Sequence, residues 1–344
     1  MAIIRVLVVD DSKFMRTIIS DILNSDPEIE VIGEACDGVE AIEKVKELKP
    51  DVVTMDVEMP RMDGLTAVSE IMKLQNPPAI VMLSALTQEG ADATFEALKR
   101  GAVDFMPKPS GTVSPDLRKK GLELIEKIKN AAVAKVSIYK RVVKPKPKIK
   151  FVTPLGKLVV IGASTGGPPV VEEIMSSLPL SARFRVVIVQ HMPKGFTSRF
   201  AKRLDSVSDY EVREAVDGDK LTGGVALVAP GDYHLVLEKS NGDITVRLNK
   251  DQPINGVRPS VEPTLISAAR VDGPNTIAVI LTGMGKDGQV GVQFVKKAGG
   301  KVIAQSKESC VVFGMPKRAI ETGCVDVVAD IPDIVNAILK LAGA

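Results

Sequence analysis

At 344 residues, 45% hydrophobic and 26% charged, the chain has material for two soluble domains, each with its own core. A net charge of +2 supplies no global field for nucleic acid or a membrane surface, and 3% aromatic residues without tryptophan argue against base-stacking platforms. Cys36, Cys310 and Cys324 are odd in number and form no Cys-x-x-Cys pair, so neither a disulfide framework nor a zinc cluster is expected.

The first strand is expected at Ile3–Val9. This opening apolar run is too short for a signal peptide, and no stretch approaches membrane-spanning length, so a cytoplasmic protein without membrane insertion is expected, a monomer by default. Ser12 can cap a helix through Asn24. Glu30–Ala35 reads as a strand and Asp37–Leu48 as a helix, with Val39, Ile42, Val45 and Leu48 at helical spacing. Cys36 reads as a buried small hydrophobe. Further strands are expected at Val52–Met55, Ala79–Leu83 and Val103–Met106, with helices at Leu65–Leu74 and Gly90–Lys99 between them. This rhythm predicts a (βα)5 domain with an open parallel sheet. A last helix starts at Ser114-Pro115-Asp116. The run Lys140–Lys150, with six basic residues, no acidic ones and two prolines, reads as an extended linker.

In the second half, strands are expected at Leu158–Ile161, Val186–Gln190, Val225–Val228, Leu235–Leu237, Ile244–Leu248, Thr276–Leu281, Lys301–Ala304 and Val325–Val328. Helical patterns lie at Pro169–Leu178, Thr197–Asp205, Val261–Arg270, Gly288–Lys297, Pro316–Thr322 and Pro332–Leu341. The expected architecture is again doubly wound α/β, mostly parallel, with an antiparallel section from Tyr210 to Leu248 turning at Asn241-Gly242.

Functional groups in such sheets collect beyond the carboxyl ends of the strands. In the first half these ends carry Asp10, Asp11, Asp56 and Ser84, with Lys108 just past the fifth strand. A lone acidic residue is usually a solvated surface charge, but clustered carboxylates repel one another unless a cation binds, and magnesium suits carboxylate oxygens. Asp10-Asp11, Asp56, Met59-Pro60-Arg61-Met62-Asp63-Gly64, Ser84-Ala85 and Lys108-Pro109 resemble the receiver domain of two-component response regulators. That resemblance implies Asp56 as phospho-acceptor, and magnesium held by Asp11, Asp56 and the carbonyl of Glu58 with support from Asp10. It further implies Ser84 and Phe105 as switch residues, Lys108 as a phosphoryl contact and a histidine kinase as phosphodonor.

In the second half an apolar run ends in Gly162-Ala163-Ser164-Thr165-Gly166, which fits the G-x-S-x-G pattern that exposes a serine on a strand-to-helix turn. Gly-rich turns also bind phosphates, but this one lacks the Lys-Ser/Thr of a P-loop. A serine needs a base and the base an orienting acid. His191 follows one strand, and Asp287 follows another through Thr282-Gly283-Met284-Gly285-Lys286. If these strands are neighbours, Ser164, His191 and Asp287 converge, in an order unlike the lipase-type fold. His234 is the competing base, with Asp219 or Asp232 as partner, but its alternating segment reads as a half-exposed sheet face, where a structural or surface role is expected.

Gly162–Pro168, Val189–Pro193, Ala229-Pro230-Gly231, Pro259-Ser260-Val261 and Leu281–Gly288 resemble the CheB chemotaxis methylesterases. Together the two resemblances span the chain as a receiver over 1–125, a helix end and linker over 126–154 and a catalytic domain over 155–344. They imply a Ser164–His191–Asp287 esterase with the Met284 N–H in its oxyanion hole. Its substrates would be glutamate γ-methyl esters on cytoplasmic chemoreceptor helices, with glutamine deamidation as a second activity and no metal in the esterase step. The receiver is expected to obstruct the serine until phosphorylated. The alternative is a response regulator with a non-catalytic partner- or nucleotide-binding output; a DNA-binding output lacks a helix-turn-helix pattern and a basic face.

Overall fold

The structure, a computed structural model, describes residues 3–84, 87–108, 115–134 and 156–343. The chain divides into two compact units, within 1–140 and 141–344. The expected linker at Lys140–Lys150 lies outside the described residues.

The first unit runs β1 (Ile4–Val9), α1 (Lys13–Asn24), β2 (Ile29–Ala35), α2 (Gly38–Leu48), β3 (Val52–Asp56), α3 (Gly64–Ile71), β4 (Ala79–Ser84), α4 (Gln88–Arg100), β5 (Asp104–Pro107) and α5 (Pro115–Ala132). Its parallel sheet has the order β2-β1-β3-β4-β5. Every residue of β3 and β4 is buried, as strands covered by helices on both faces must be. Ser12, Asp37, Asp63 and Thr87 accept backbone N–H bonds at the starts of α1 to α4. The strand order reverses at β1, so a crevice opens where β1 and β3 end. A side chain at Gly64 would overlap the Asp56 carbonyl oxygen, so only glycine lets α3 begin this close to that crevice. Cys36 is half-buried rather than buried, and its thiol pKa is raised chiefly by its contact with the Glu40 carboxylate.

The second unit runs β6 (Leu158–Ala163), α6 (Gly167–Ser177), β7 (Arg185–Gln190), α7 (Phe196–Val207), β8 (Glu211–Glu214), β9 (Val225–Val228), β10 (His234–Ser240), β11 (Asp243–Asn249), α8 (Val261–Asp272), β12 (Thr276–Ile280), α9 (Gln289–Lys297), β13 (Lys301–Gln305), α10 (Met315–Glu321), β14 (Val327–Ala329) and α11 (Ile331–Ala342). Seven strands form one sheet in the order β14-β13-β12-β6-β7-β9-β8. The antiparallel section is narrower than expected: β8 and β9 pair in parallel, and only β10 and β11 form an antiparallel hairpin, as a separate sheet. Asn241 and Gly242 both take positive φ at its turn, 52° and 88°. Leu235, Leu237 and Val246 of the hairpin join Leu265 of α8 and Val160, Val187 and Ala278 of the large sheet in one core. The chain leaves the central β6 toward β7 and returns to its other side at β12, so the carboxyl ends of all three strands meet.

Candidate active site

Ser164 follows β6 directly. Its carbonyl accepts from Gly167 N–H at 2.8 Å, which closes the turn into α6, and its N–H donates to Thr282 O at 3.0 Å. Ala163 pairs with Gln190 across β6 and β7, and His191 N–H donates to Ala163 O at 3.0 Å. Neighbouring strands lie about 4.8 Å apart, so Ser164 is flanked by His191 on one side and Thr282–Gly283 on the other. Gln190 Nε2 ties the two turns by donating to Ser164 O at 2.9 Å and to His191 O at 3.3 Å. A Cβ on Gly283 would stand 2.6 Å from Ser164 Cβ, so glycine is what admits the third loop.

His191 Nε2 donates to Asp287 Oδ2 at 2.7 Å, which leaves Nδ1 as the ring's acceptor nitrogen. Asp287 is buried among donors. Oδ1 accepts from Ser260 Oγ at 2.7 Å, Asn255 Nδ2 at 3.3 Å and Glu262 N–H at 3.3 Å, and Oδ2 accepts from Val261 N–H at 2.7 Å. Burial pushes the Asp287 pKa up, but His191, Ser260 Oγ and Val261 N–H outweigh it and hold the carboxyl below its ordinary range. Met284 is 44% exposed, and its N–H donates to no group among the described residues. The arrangement sets an imidazole acceptor beside a serine at a strand end, with an ionised carboxylate behind it.

His234 does not form the competing dyad. It is buried rather than half-exposed: Nδ1 accepts from Ser260 N–H at 3.2 Å and Nε2 lies 3.1 Å from Gln252 O. Asp219 pairs with Arg213, and Asp232 with Arg258.

The first unit holds a second cluster. Carboxylate oxygens of Asp10, Asp11 and Asp56 lie within 4.8 Å of one another. Lys108 Nζ stands 2.8 Å from Asp10 Oδ2 and 2.7 Å from Asp56 Oδ2. Asp10 Oδ1 accepts from Ser12 N–H and Asp56 Oδ1 from Val57 N–H. Burial, aided by the Asp10 charge and opposed by Lys108, pushes the Asp56 pKa up to about 6. Three carboxylates against one ammonium leave the crevice anionic, and buried Asp10 Oδ2 faces Lys108 without an aligned hydrogen bond. This all-oxygen, charge-deficient donor set fits a magnesium ion. Ser84 is buried at the end of β4, and Phe105 is buried edge-on to Phe95 at 6.2 Å. Glu58 lies on the exposed loop after Asp56.

The family model for CheB methylesterase matches residues 159–338, and that for the response regulator receiver domain matches residues 6–120. The chain belongs to the CheB methylesterase family. Among relatives named protein-glutamate methylesterase/protein-glutamine glutaminase, the CheB-family protein of Pyrococcus horikoshii is 50% identical over 98% of this chain and 93% of its own length. That of Thermotoga maritima is 49% identical over 98% of both. The crystal structure of the Thermotoga maritima CheB methylesterase catalytic domain, 50% identical, covers 54% of this chain and 98% of its own, with a TM-score of 0.53. No helix among the described residues is long and apolar enough to cross a membrane.

The contacts of Asn255, Gln190 and Ser260 around this CheB-family site are not apparent from the sequence. Gln190 stood beside His191 in the sequence, and Ser260 was visible only through the family resemblance. Nothing local marks Asn255, whose contact with Asp287 spans 32 positions.

Proposed function

We propose that the chain is a phosphorylation-controlled esterase that hydrolyses glutamate γ-methyl esters on chemoreceptor helices and deamidates glutamine there by the same route. Ser164 Oγ attacks the ester carbonyl while His191 Nδ1 takes its proton. The carbonyl oxygen gathers negative charge opposite the Met284 N–H; losing such a donor costs about 3–4 kcal/mol in related chemistry. The C–O bond to methoxide then breaks, and His191 returns the proton so that methanol leaves. Water attacks the acyl-enzyme, His191 takes its proton, and the C–O bond to Ser164 breaks to release the glutamate carboxylate and restore the hydroxyl. With glutamine the first leaving group is ammonia. Asp287 orients the ring and stays ionised throughout.

The receiver takes a phosphoryl group on Asp56 from a histidine kinase. Asp11, Asp56 and the Glu58 carbonyl would hold magnesium, supported by Asp10, and the ion would neutralise the crevice charge. Lys108 would pair with the phosphoryl oxygens, and Ser84 and Phe105 would follow them. In this division of labour the receiver spans 1–125 and the esterase 155–344, joined by 126–154.

The observation that carries the esterase reading is the 2.7 Å His191–Asp287 bond at the strand ends that flank Ser164. Methanol release from a methylated receptor helix tests it: Ser164→Ala and His191→Gln should each abolish release, and hydrolysis retained by Ser164→Ala would refute the mechanism. Asp56→Asn should lose stimulation by a small phosphodonor and keep the basal rate.

A further inference from the structure

Both histidines of the chain connect to Asp287, one directly and the other through a strap of backbone. The strap is the segment from Gln252 to Ser260. Its tip is a tight turn in which Ile254 and Val257 exchange backbone N–H bonds at 3.2 and 3.1 Å, with Asn255 and Gly256 at φ 54° and 79°. Asn255 at the tip donates to Asp287 Oδ1, and Ser260 at the far stem donates to the same oxygen. Buried His234 bridges the two stems, with Nε2 toward Gln252 O and Nδ1 accepting from Ser260 N–H.

We propose that His234 is a positioning residue for the esterase: its imidazole clamps both stems of the strap and so fixes Asn255 and Ser260 against Asp287. The inference rests on the Ser164–His191–Asp287 reading. The bonding pattern requires the neutral ring with its proton on Nε2, because a proton on Nδ1 would oppose the Ser260 N–H. Fixing the Ser260 amide also fixes its neighbour Val261, whose N–H donates to the Asp287 oxygen that holds His191. Charge near the ring is already committed: Asp232 pairs with Arg258 at 2.5 Å, and Glu262 receives N–H bonds from α9. Lys250 lies over the Tyr233 ring at 4.8 Å. His234 therefore acts through geometry and touches no reacting atom.

The test uses the full chain and a methylated receptor helix. His234→Phe fills the ring's space without either bond; kcat should fall roughly tenfold to a hundredfold, with KM within about twofold and the pH profile of kcat/KM displaced. His234→Asn, which restores an acceptor toward Ser260 N–H, should recover part of kcat. Ser260→Ala should cost less in the His234→Phe background than in the native chain. Wild-type kcat and pH profile in folded His234→Phe, or fully additive effects, would overturn the clamp. If His234→Phe does not fold, 15N NMR of the native chain decides, with only two histidines to assign: an Nε2–H tautomer at His234 supports the clamp, and an Nδ1–H tautomer overturns it. Activity surviving in Ser164→Ala would instead sink the triad reading and leave the tautomer result standing.

Discussion

Asp56 is kept in a crevice that disfavours its own charge, and removing that charge should stabilise the receiver. Its pKa rises from an ordinary 3.8 to about 6 through burial and the Asp10 charge, less the opposing pull of Lys108. A raised carboxyl pKa means that the folded state binds more protons than the unfolded state between about pH 4 and pH 6. Stability from this group is therefore present at acid pH and falls as pH rises through that window. A difference of about 2 pKa units corresponds to about 3 kcal/mol at pH 7.5, and to about 1 kcal/mol at pH 4.5. Asp56→Asn keeps the shape and removes the titration, so it should raise unfolding free energy by up to about 3 kcal/mol at pH 7.5, with roughly 2 kcal/mol less gain at pH 4.5. Urea unfolding of a fragment covering residues 1–134, followed by far-ultraviolet circular dichroism in EDTA, measures both. Magnesium should close the gap by stabilising the native Asp56 form more than Asp56→Asn. A destabilised variant, or a gain that does not change with pH, would refute the reasoning.

Two other perturbations follow from the geometry. Gly283→Ala places a Cβ 2.6 Å from both Ser164 Cβ and Met315 Sδ; the displaced serine should lower the esterase kcat by about a hundredfold, measured as methanol release. A fragment beginning near Lys150 should hydrolyse faster than the unphosphorylated full chain, by roughly tenfold if nine-tenths of the full chain is held inactive. Equal rates for fragment and full chain would remove receiver inhibition as the control.

The strand ends of the proposed catalytic site were legible because parallel strands buried on both faces read as continuous apolar runs that stop abruptly. Val159–Ile161 stops at Gly162-Ala163-Ser164, and Val186–Val189 stops at Gln190-His191. Strand direction was not legible in the Tyr210–Val228 stretch. Alternation reports which face is buried and carries no direction, and the loop between β8 and β9 returns by bonding to β11 through Gly218 N–H and Leu221 N–H, which makes β9 parallel to β8. The burial of His234 was not legible for a related reason. Leu235 and Leu237 point to the core as the alternation predicts, but the opposite face is covered at His234 by the strap, which lies more than fifteen residues further on. Local periodicity cannot register a cover supplied by a distant loop.

The surroundings of Asp287 explain how an ionised carboxylate can be kept buried behind His191. Asp287 precedes α9 yet accepts the first N–H groups of α8, from Val261 and Glu262. Glu262, in the first turn of α8, accepts the N–H groups of Val290 and Gly291 at the start of α9. Each helix thus receives its capping carboxylate from the other, at the positive end of its dipole. Burial raises the Glu262 pKa, with the α9 N–H groups opposing, whereas the donors around Asp287 overcome burial and depress its pKa. The difference matters for chemistry. A depressed Asp287 remains an anion across the neutral range, so in the proposed mechanism it would stabilise the imidazolium of His191 without taking its proton. The donors that stabilise it are backbone and side-chain groups of α8 and the strap, so under the proposed mechanism they need not reorganise when positive charge develops on the ring.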